Sequence, residues 1–484
     1  MSINLNLQRQ ILRTPSGFFT SNRKRLLDAF RVNSPSSNSC IFFKGGVQQR
    51  NHDDDCEQVA FTQENNFWYC FGIELPELYG VIEVDTGKAT VFCPPITAHD
   101  RVWEYVQDFN EIKDAYEVDD AIENNAEQKN MQDWFSSRNF AAIHILDGCN
   151  PYSGKGPTAP DMGWLKNHMV NKQILYDTIN EVRIRKTEDE LVMLRQVGEL
   201  GSEAHCFVMQ NMKPGMSEAH IQSLFRFYNS YYMQSLVPYG EICAAHKNGA
   251  ILHYINNDAT VQDGEMLLFD GGARVNHFCS DITTTWPVNG KFTEKQAAWY
   301  NIVLKANRAV FAMVKPGVHW QDCHIMAEKT ILQGLIDLGI LQGGTMEEMW
   351  EDRVSYYFMP HGLGHYIGIY THDFKGDKRL EDIKKPIPKQ SLRVYRVLEE
   401  GMCLTNEPGC YVIRGLLKEA KEDEKIAKYF NFDLIEEYAK EVMATRIEDN
   451  FVVTKDGHER YTNLPRTTQA IEACIRGEDW KHLN

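Results

Sequence analysis

Alternating apolar and polar positions predict β-strands in the first part of the chain. The stretch YGVIEVDTGKATVFCPP contains two such runs around Asp85-Thr86-Gly87, a turn sequence typical of a hairpin. We predict strands over residues 57–95 and a further buried strand in NFAAIHIL (139–146). The Gly- and Pro-rich stretch NPYSGKGPTAPDMG (150–163) is predicted to be a loop.

From about residue 180 the apolar positions follow the spacing of helices. In RKTEDELVMLRQVGEL, Thr187 precedes Glu190 by three residues, which is the pattern of a capping box ahead of an apolar periodicity. We therefore place a domain boundary near 175–185. The sequence predicts an N-terminal domain over residues 1–180 and a second domain over residues 181–484.

The second part of the chain contains a faint internal repeat. Helical sequence runs into KPGMSEAHIQSLF (213–225) and later into KPGVHWQDCHIMAEKTILQGL (315–335), and strand-like sequence follows each copy. Lys-Pro-Gly alone is a common way to end a helix. Because the flanks match on both sides, we favour two related halves, with a site where the halves meet.

Composition narrows the class of protein. The 484 residues are 43% hydrophobic, and 67 Asp and Glu outnumber 51 Lys and Arg, for a net charge of −16. We expect no nucleic-acid partner, because phosphate binding needs a basic face. We also expect neither a membrane span nor a signal peptide, since no apolar run is long enough. The 12 cysteines form no CxxC pair, which favours a cytoplasmic protein without a thiolate zinc site.

Four carboxylates lie in or beside apolar, strand-like sequence. In GEMLLFDGGARVNHFCSDITTTWPV (264–288), Asp270 ends the first predicted strand and Asp281 lies inside the second. Glu407 follows an apolar run in GMCLTNEPGCYVI, and Glu448 lies beside FVVT in TRIEDNFVVT. Any one of them could be a surface residue. Buried together, they would repel one another unless cations lay between them.

Three histidines, His361, His365 and His372, lie in FMPHGLGHYIGIYTHDF (358–374). His361 and His365 are four residues apart, as zinc ligands are on a helix. However, Gly362 and Gly364 disfavour a helix, and no glutamate follows the first histidine. Metal ligands, acid–base groups and packed side chains in a bent loop remain alternatives for these residues.

Charge arithmetic favours a centre with two divalent cations, which would balance four carboxylates. One histidine with oxygen donors suits manganese, cobalt or iron better than a thiolate zinc site. Paired metals can hold a water that becomes hydroxide near neutral pH and attacks a carbonyl carbon. A di-iron carboxylate bundle fits less well, because it needs Glu-x-x-His pairs on facing helices.

These motifs resemble those of the prolidase (Xaa-Pro dipeptidase) group of the M24 pita-bread metallopeptidases. The resemblance rests on FDGGARVNHFCSDIT, MPHGLGHYIGIYTHD, TNEPGCY and RIEDNFVVT, in that order. FTQENNFWYCFG and VIEVDTGKATVFCPP look like the N-terminal domain of that group, and LPRTTQAIEAC looks like its C-terminal end. The implied fold is α/β (α+β), with an N-terminal creatinase-like (aminopeptidase P-like) domain and a C-terminal pita-bread catalytic domain of two pseudosymmetric halves.

The resemblance also implies roles for individual residues. The residues that match the ligands of two divalent ions, Mn2+ foremost and Co2+, Fe2+ or Zn2+ as alternatives, are Asp270, Asp281, His365, Glu407 and Glu448. Among them Asp281 and Glu448 match bridging ligands, and Glu407 also matches the general base. The residues that match substrate-binding or supporting positions are His253 and His372 near the scissile bond and the bound proline, Arg393 at the substrate carboxylate, Tyr239 in the site, Trp103 lent by a partner subunit, and His361 and Arg446 as supports.

The implied activity is hydrolysis of Xaa-Pro dipeptides, with release of proline, by a homodimer whose metal-bound hydroxide attacks the peptide carbon. An Xaa-Pro aminopeptidase acting on longer peptides is the alternative, and a non-catalytic binding protein or a creatinase-like enzyme on the same fold ranks lower. The stretch HYINNDATVQDG, which begins at His253, is a few residues shorter than in the family's prolidases. This difference bears on pocket shape and substrate preference.

Overall fold

The computed structural model of the protein describes residues 13–34, 37–49, 53, 61–125, 127–150, 153–157, 159–233, 236–373, 387–389 and 391–484. Contacts within the chain define two compact units. One unit is Thr14–Arg183, and the other contains Ile184–Asn484.

The first unit is built on a mixed sheet flanked by helices. The strands are β1 (Ser39–Lys44), β2 (Tyr79–Glu83), β3 (Ala89–Cys93), β4 (Asp120–Glu123), β5 (Ala142–Ile145) and β6 (Val170–Asn171). Their order in the sheet is β4-β3-β2-β1-β5-β6. The helices are α1 (Phe18–Asn33), α2 (Asn65–Phe71), α3 (Asp100–Trp103), α4 (Phe109–Ala115), α5 (Lys129–Arg138) and α6 (Leu175–Ile184), the last of which ends at the first residue of the other unit.

The predicted hairpin is confirmed, because β2 and β3 pair in antiparallel register around a turn in which Gly87 has a φ of 75°. The strand predicted in NFAAIHIL is confirmed as β5. In the loop predicted at 150–163, the described part has no helix or strand before a short 3-10 helix begins at Gly163.

The prediction of strands across residues 57–95 is wrong where α2 lies, and residues 57–60 are outside the described part of the chain. The Glu64 carboxylate caps this helix by accepting a hydrogen bond from the backbone N–H of Phe67. Asn66 through Phe71 are all buried, so no one-sided apolar periodicity marks the helix in the sequence.

The second unit begins with two long helices, α7 (Glu188–Asn211) and α8 (Glu218–Met233). The next elements are β7 (Ile242–Ala245), β8 (Met266–Asp270), β9 (Arg274–Val275), β10 (Phe278–Cys279), β11 (Thr283–Pro287), α9 (Glu294–Met313), α10 (Trp320–Asp337) and α11 (Met346–Glu351). The last elements are β12 (Cys403–Asn406), β13 (Gly409–Tyr411), α12 (Arg414–Glu422), α13 (Glu424–Ala427), α14 (Phe432–Ala439), β14 (Ala444–Arg446), β15 (Asp449–Val453), β16 (His458–Arg460) and α15 (Thr468–Ile475).

The strands of this unit form short antiparallel sheets. One sheet has the order β11-β8-β7, another has the order β12-β15-β16, and β13 pairs with β14. The capping box predicted at the start of α7 is confirmed, since Thr187 and Glu190 exchange side chain–backbone hydrogen bonds of 3.2 and 2.8 Å.

The predicted internal repeat has a counterpart in backbone geometry. Gly215 and Gly317, the glycines of the two Lys-Pro-Gly turns, have φ values of 89° and 88°. Each donates a 2.9 Å backbone hydrogen bond to a residue ahead of a strand, Gly215 to Val261 and Gly317 to Leu398. Strand β8 follows the first contact and β12 follows the second, so the two halves share this arrangement.

The halves also differ. Strand-like sequence was expected after both helix pairs, and β7 follows α8, but α11 and a 3-10 helix (Val354–Tyr357) follow α10. Helices α9 and α10 pack into the main core of this unit through Trp299 and Trp320, which are fully buried, and Trp320 lies 5.9 Å from the ring of Phe451. Among the described residues, no helix combines the length and apolarity needed to span a bilayer.

Candidate metal centre

The four candidate acids lie where strands end or break. Asp270 is the last residue of β8, Glu407 lies between β12 and β13, and Glu448 lies between β14 and β15. The prediction that Asp281 lies inside a strand is wrong, because it falls between β10 and β11. Its backbone pairs instead with a side chain: Asn450 Oδ1 accepts from Asp281 N at 2.9 Å, and Asn450 Nδ2 donates to Asp281 O at 2.5 Å.

These acids and two histidines converge on one region of the second unit. Three overlapping sets of side chains place their ligand atoms within 4.8 Å of one another: Asp281, His365 and His372; His365, Glu407 and Glu448; and Asp270, Asp281 and Glu448. All five residues proposed as ligands from the resemblance therefore lie together. Asp270, Asp281, His365 and Glu448 are buried, whereas Glu407 is partly exposed.

His365 is fixed on both its backbone and its ring. Its N–H donates to Thr405 Oγ1 at 3.1 Å, and its carbonyl accepts from Thr405 N at 2.9 Å. The ring Nδ1 lies 2.9 Å from the Tyr366 carbonyl, which can only accept, so Nδ1 carries the proton. The lone pair on Nε2 is then free, and Nε2 faces Asp281 Oδ2 at 3.3 Å and Glu407 Oε1 at 3.6 Å. This is the tautomer that a metal ligand requires.

Gly364 allows the segment that carries the three histidines (residues 361–372, called the histidine segment) to lie directly on β12. A Cβ built at Gly364 would lie 2.1 Å from the carbonyl oxygen of Thr405, a backbone atom that cannot turn aside. Gly364, one of the two glycines that disfavour a helix in the sequence, therefore permits this close approach.

Arg446 links the acids to one another. Its guanidinium donates to Asp270 Oδ2 at 2.5 Å, to Thr283 Oγ1 at 2.9 Å and to the hydroxyl of Tyr411 at 3.1 Å. The Thr283 hydroxyl in turn donates to Glu448 Oε2 at 2.7 Å. One buried cation thus offsets part of the negative charge of the site.

Tyr239 and His361 occupy two edges of this cluster. The Tyr239 hydroxyl lies 2.7 Å from Asp270 Oδ1 and 2.5 Å from Asp281 Oδ1, so it bridges the two carboxylates. Nδ1 of His361 lies 2.8 Å from the carbonyl of Gly362, and its Nε2 lies 3.0 Å from the Tyr411 hydroxyl. Because the Tyr411 hydroxyl also accepts a hydrogen bond from Arg446, Tyr411 connects His361 to Arg446.

Burial of these like charges shifts their protonation. It raises the pKa of Glu407 to about 8 and that of Asp270 to about 6, with Arg446 opposing the shift in both cases. Burial also raises the pKa of Asp281, and that of Glu448, where repulsion from Asp281 adds to the effect. Full ionisation of all four carboxylates is therefore unfavourable in this pocket without added positive charge.

This donor set fits hard or borderline divalent cations. Carboxylate oxygens and one imidazole nitrogen are the ligands that Mn2+, Co2+, Fe2+ and Zn2+ share, and no thiol belongs to the three converging sets. Cations held between the acids would favour the charged forms of the carboxylates and so oppose the effect of burial.

Comparison with protein families gives two matches along the chain. Residues 192–455 match the model of metallopeptidase family M24, and residues 19–144 match that of the aminopeptidase P N-terminal domain. The chain belongs to metallopeptidase family M24. The predicted membership and the predicted two-domain α/β fold with a pita-bread catalytic domain are thereby confirmed.

Relatives within family M24 match nearly the whole chain. The Xaa-Pro dipeptidase of Homo sapiens is 38% identical over 482 residues, which cover 98% of this chain and 96% of that protein. A probable Xaa-Pro aminopeptidase of Sordaria macrospora is 32% identical, over 94% of this chain and 95% of that protein. The structure of Pseudomonas aeruginosa aminopeptidase PepP superposes with a TM-score of 0.77 at 26% identity, and covers 96% of this chain and 99% of that one.

The remaining candidate residues of this M24 chain differ in their exposure and in the contacts that the structure shows. The ring of His372 lies perpendicular to that of His365, with centroids 4.3 Å apart. His253 is exposed, but lies near enough to His372 to affect its protonation. Arg393 is partly exposed, and its charge acts on Asp281 and Glu407. Trp103 lies in the first unit at the end of α3 and is 71% exposed.

Residues that support the site were missed in the sequence. Asn450 holds Asp281, and Tyr411 connects Arg446 to His361. Arg466 donates to the carbonyl of Thr283 at 2.9 Å and also to the carbonyl of Glu448. Asn450 follows Glu448 by two residues and Tyr411 follows Glu407 by four, so proximity to the acids was the available signal.

Proposed function

We propose that this chain is an Xaa-Pro dipeptidase that hydrolyses the peptide bond before proline and releases proline. The observation that carries the proposal is the 38% identity to the Xaa-Pro dipeptidase of Homo sapiens across 98% of this chain. The relatives from Rattus norvegicus and Mus musculus, also Xaa-Pro dipeptidases, are 37% identical over the same share. Convergence of the acids and His365 supports a metal-dependent reaction.

We infer that two divalent cations bind here, held by Asp270, Asp281, His365, Glu407 and Glu448, with Asp281 and Glu448 shared between them. Manganese is the proposed metal, and cobalt, iron or zinc would fit the same donors. Cations so held would polarise the scissile carbonyl and activate the attacking water. The partial exposure of Glu407, in contrast to the other acids, supports a role on the substrate side of the cluster.

Glu407 is proposed to move the proton. A carboxylate on the substrate side of the cluster can accept a proton from the attacking water and pass it to the leaving nitrogen. The nitrogen of the scissile bond must gain a proton to leave as the amine of proline, and such a donor supplies it. His372, beside His365, and His253, near His372, are proposed to bind the substrate around the scissile bond and the proline ring, with Tyr239 lining the same site.

Arg393 is proposed to bind the free carboxylate of the substrate. A guanidinium can hold a carboxylate through two parallel hydrogen bonds, which fixes the position of the group. A dipeptide presents that carboxylate on proline itself, whereas a longer peptide carries it further away. Such a contact therefore favours dipeptides.

An Xaa-Pro aminopeptidase is the second candidate. Relatives with that name are 30–32% identical to this chain. The short stretch from His253 to Gly264 is consistent with a pocket whose shape differs from that of prolidases. A binding protein without activity has less support, because the acids and His365 converge.

We also propose a homodimer, in which the exposed Trp103 reaches the site of the partner subunit. Trp103→Ala should then lower kcat/KM in the dimer without changing metal content. Mass measurement in solution tests the dimer itself, and a monomeric, fully active protein would contradict this proposal. A cytoplasmic location stays a prediction.

The experiment that tests the function is a comparison of substrates. The purified protein is freed of metal, loaded with Mn2+, and assayed with Gly-Pro, Gly-Pro-Ala and the control dipeptide Gly-Ala. A dipeptidase hydrolyses Gly-Pro fastest and requires the metal. Faster turnover of Gly-Pro-Ala would favour the aminopeptidase, and no turnover of either proline peptide with metal bound would refute both.

A further inference from the structure

A buried ion pair lies behind the histidine segment of the site. Lys186 Nζ donates to Asp373 Oδ2 at 2.8 Å, and each side chain is only 2% exposed. Asp373 directly follows His372, and Lys186 lies just before α7. Neither residue belongs to the three sets of converging metal-ligand side chains.

The segment between His365 and Asp373 is a closed loop. Asp373 N donates to the carbonyl of Tyr366 at 2.9 Å, which joins the two ends of the loop. Cys279 N donates to the carbonyl of Gly368 at 2.9 Å, which ties the middle of the loop to β10. His372 therefore belongs to a loop whose backbone is fixed at its ends and centre.

Lys186 reaches Asp373 through a gap that only glycine leaves open. A Cβ built at Gly368 would lie 2.3 Å from Asp373 Oδ2 and 2.9 Å from Lys186 Nζ. The loop backbone therefore lies directly against the ion pair. Any shift of the pair must move this loop or be resisted by it.

The backbone of Lys186 also forms contacts with another part of the site. Its N–H donates to the carbonyl of Gly401 at 2.8 Å, and the preceding residue, Arg185, forms an isolated β-bridge with Met402. The segment that begins at Gly401 continues into β12 and then to Glu407. Lys186 thus connects the chain segment of Glu407 to the loop of His372.

Stability alone is a weak reason for such a pair. Removing two charges from water costs about as much as their attraction returns, and apolar replacements of similar volume are often neutral or stabilising. A role in fixing geometry accounts better for a pair placed between two segments of the site.

We propose that the Lys186–Asp373 ion pair is a positioning device for His372, which sets the orientation of that ring towards the substrate. The inference rests on the proposed function, since it takes His372 as a group that contacts the Xaa-Pro peptide. Lys186 and Asp373 act through His372 and do not themselves touch the substrate.

The test separates stability from positioning. Lys186→Met and Asp373→Leu each remove one of the two opposite charges of the buried pair, so each should lower Tm. The double variant removes both charges, and Tm should return towards that of wild type. Its kcat/KM, for whichever proline peptide the wild type cleaves fastest, should stay on the order of 100-fold lower, with metal content unchanged.

A double-mutant cycle with His372→Ala identifies the residue through which the pair acts. If the pair positions His372, adding the double substitution to His372→Ala changes kcat/KM by no more than about twofold. A full further loss would overturn the proposal. So would wild-type kcat/KM in a stable double variant, or a loss explained by missing metal.

Two further variants keep the result decisive. If the double variant does not fold, Asp373→Asn replaces it in the cycle with His372→Ala, because asparagine keeps an oxygen acceptor for Lys186. Additive losses of kcat/KM would overturn the proposal, and non-additive losses would support it. Arg353→Met is the matched control, because it breaks a different buried pair, with Glu328 at 2.5 Å. It should lower Tm, and any effect on kcat/KM should add to that of His372→Ala.

Discussion

Nη2 of Arg446 donates to Oδ2 of Asp270 across 2.5 Å, inside a group of four carboxylates. The charge balance inferred from the sequence set four negative charges against two divalent cations and left this arginine out. With Arg446 included, a site with the two proposed cations would carry one net positive charge before the attacking hydroxide forms. Such a centre would favour an anionic group in its pocket, which agrees with a substrate that brings a free carboxylate.

Asp281→Asn should abolish most activity. The substitution keeps the size of the side chain but removes a negative charge that lies within 4.8 Å of two other acidic ligand atoms. We expect kcat/KM on an Xaa-Pro dipeptide to fall by on the order of 100-fold or more, with less bound metal, since even indirect support of a ligand is worth about 10- to 100-fold. Kinetic assay and metal analysis of the purified variant check both effects.

The control for this variant is Asp263→Asn. Asp263 is exposed and accepts a hydrogen bond from Asn289 away from the cluster, so this change should leave kcat/KM as in wild type. If Asp281→Asn turned over the dipeptide at the wild-type rate, Asp281 would not be a shared ligand.

Removal of metal should destabilise the protein. Without cations, four carboxylates share a buried space, where burial raises the pKa of each and repulsion from neighbouring acids adds to the effect at Asp270, Glu407 and Glu448. Chelation should lower Tm, and Mn2+ at 100 times its Kd should restore about 2.7 kcal/mol. Differential scanning calorimetry measures this gain, which should be smaller in Asp281→Asn. Equal Tm with and without metal would contradict a cation-stabilised cluster.

The acids and His365 could be predicted from the sequence because each lies in a short motif that is recognisable from neighbouring residues alone. The position of Asp281 outside a strand could not be predicted, because its backbone is satisfied by the side chain of Asn450, 169 residues away. The same holds for the bond between Arg446 and Asp270, which joins residues 176 apart. The residues next to Asp281 or Asp270 in the sequence do not indicate partners this distant along the chain.

Helix α2 illustrates a different reason for failure. Its apolar and aromatic residues are buried on all sides, so neither the period of a helix nor that of a strand appears in them. The repeat was predictable only in part. Its Lys-Pro-Gly turns recur with equal geometry, but the second half carries α11 and the histidine segment where the first half has β7.

Arg393→Ala should change selectivity more than it changes chemistry. Loss of a carboxylate contact should raise KM for Gly-Pro, while kcat/KM for Gly-Pro-Ala should change less, so the preference for the dipeptide should shrink. Parallel kinetics on the two peptides measure the ratio. Arg308→Ala, at an exposed arginine on α9, is the control and should leave the ratio unchanged. An unaltered ratio in Arg393→Ala would rule out the carboxylate contact.

Gly364→Ala should disrupt the histidine segment. The added Cβ would lie 2.1 Å from the Thr405 carbonyl oxygen, so the segment and β12 must separate. Overpacking of this kind costs about 1–3 kcal/mol, and His365 moves with the segment. We expect a lower Tm together with weaker metal binding, measured by calorimetry and metal titration. Gly415→Ala, where a Cβ meets no atom within 4 Å, should change neither.

His205 should contribute a measurable acid sensitivity. Its Nε2 lies 2.9 Å from the carbonyl of Gly271, which requires a proton on Nε2, and its Nδ1 lies 2.8 Å from the hydroxyl of Thr284. Burial lowers the pKa of this imidazole to about 3. The unfolded chain protonates the same group near pH 6.5, so the unfolded state binds more protons than the folded state between these values.

The sign follows from this difference. Stability contributed by neutral His205 is complete above pH 6.5 and declines as the pH falls towards 3. Between pH 7 and pH 5 the decline should be about 2 kcal/mol. His205→Gln keeps an N–H for Gly271 and an oxygen for Thr284 but does not titrate. Between pH 7 and pH 5 its free energy of unfolding should therefore fall by about 2 kcal/mol less than that of wild type. Denaturant titrations at the two pH values measure it, with exposed His482→Gln as the control. Equal losses in wild type and His205→Gln would mean that His205 does not carry the acid sensitivity.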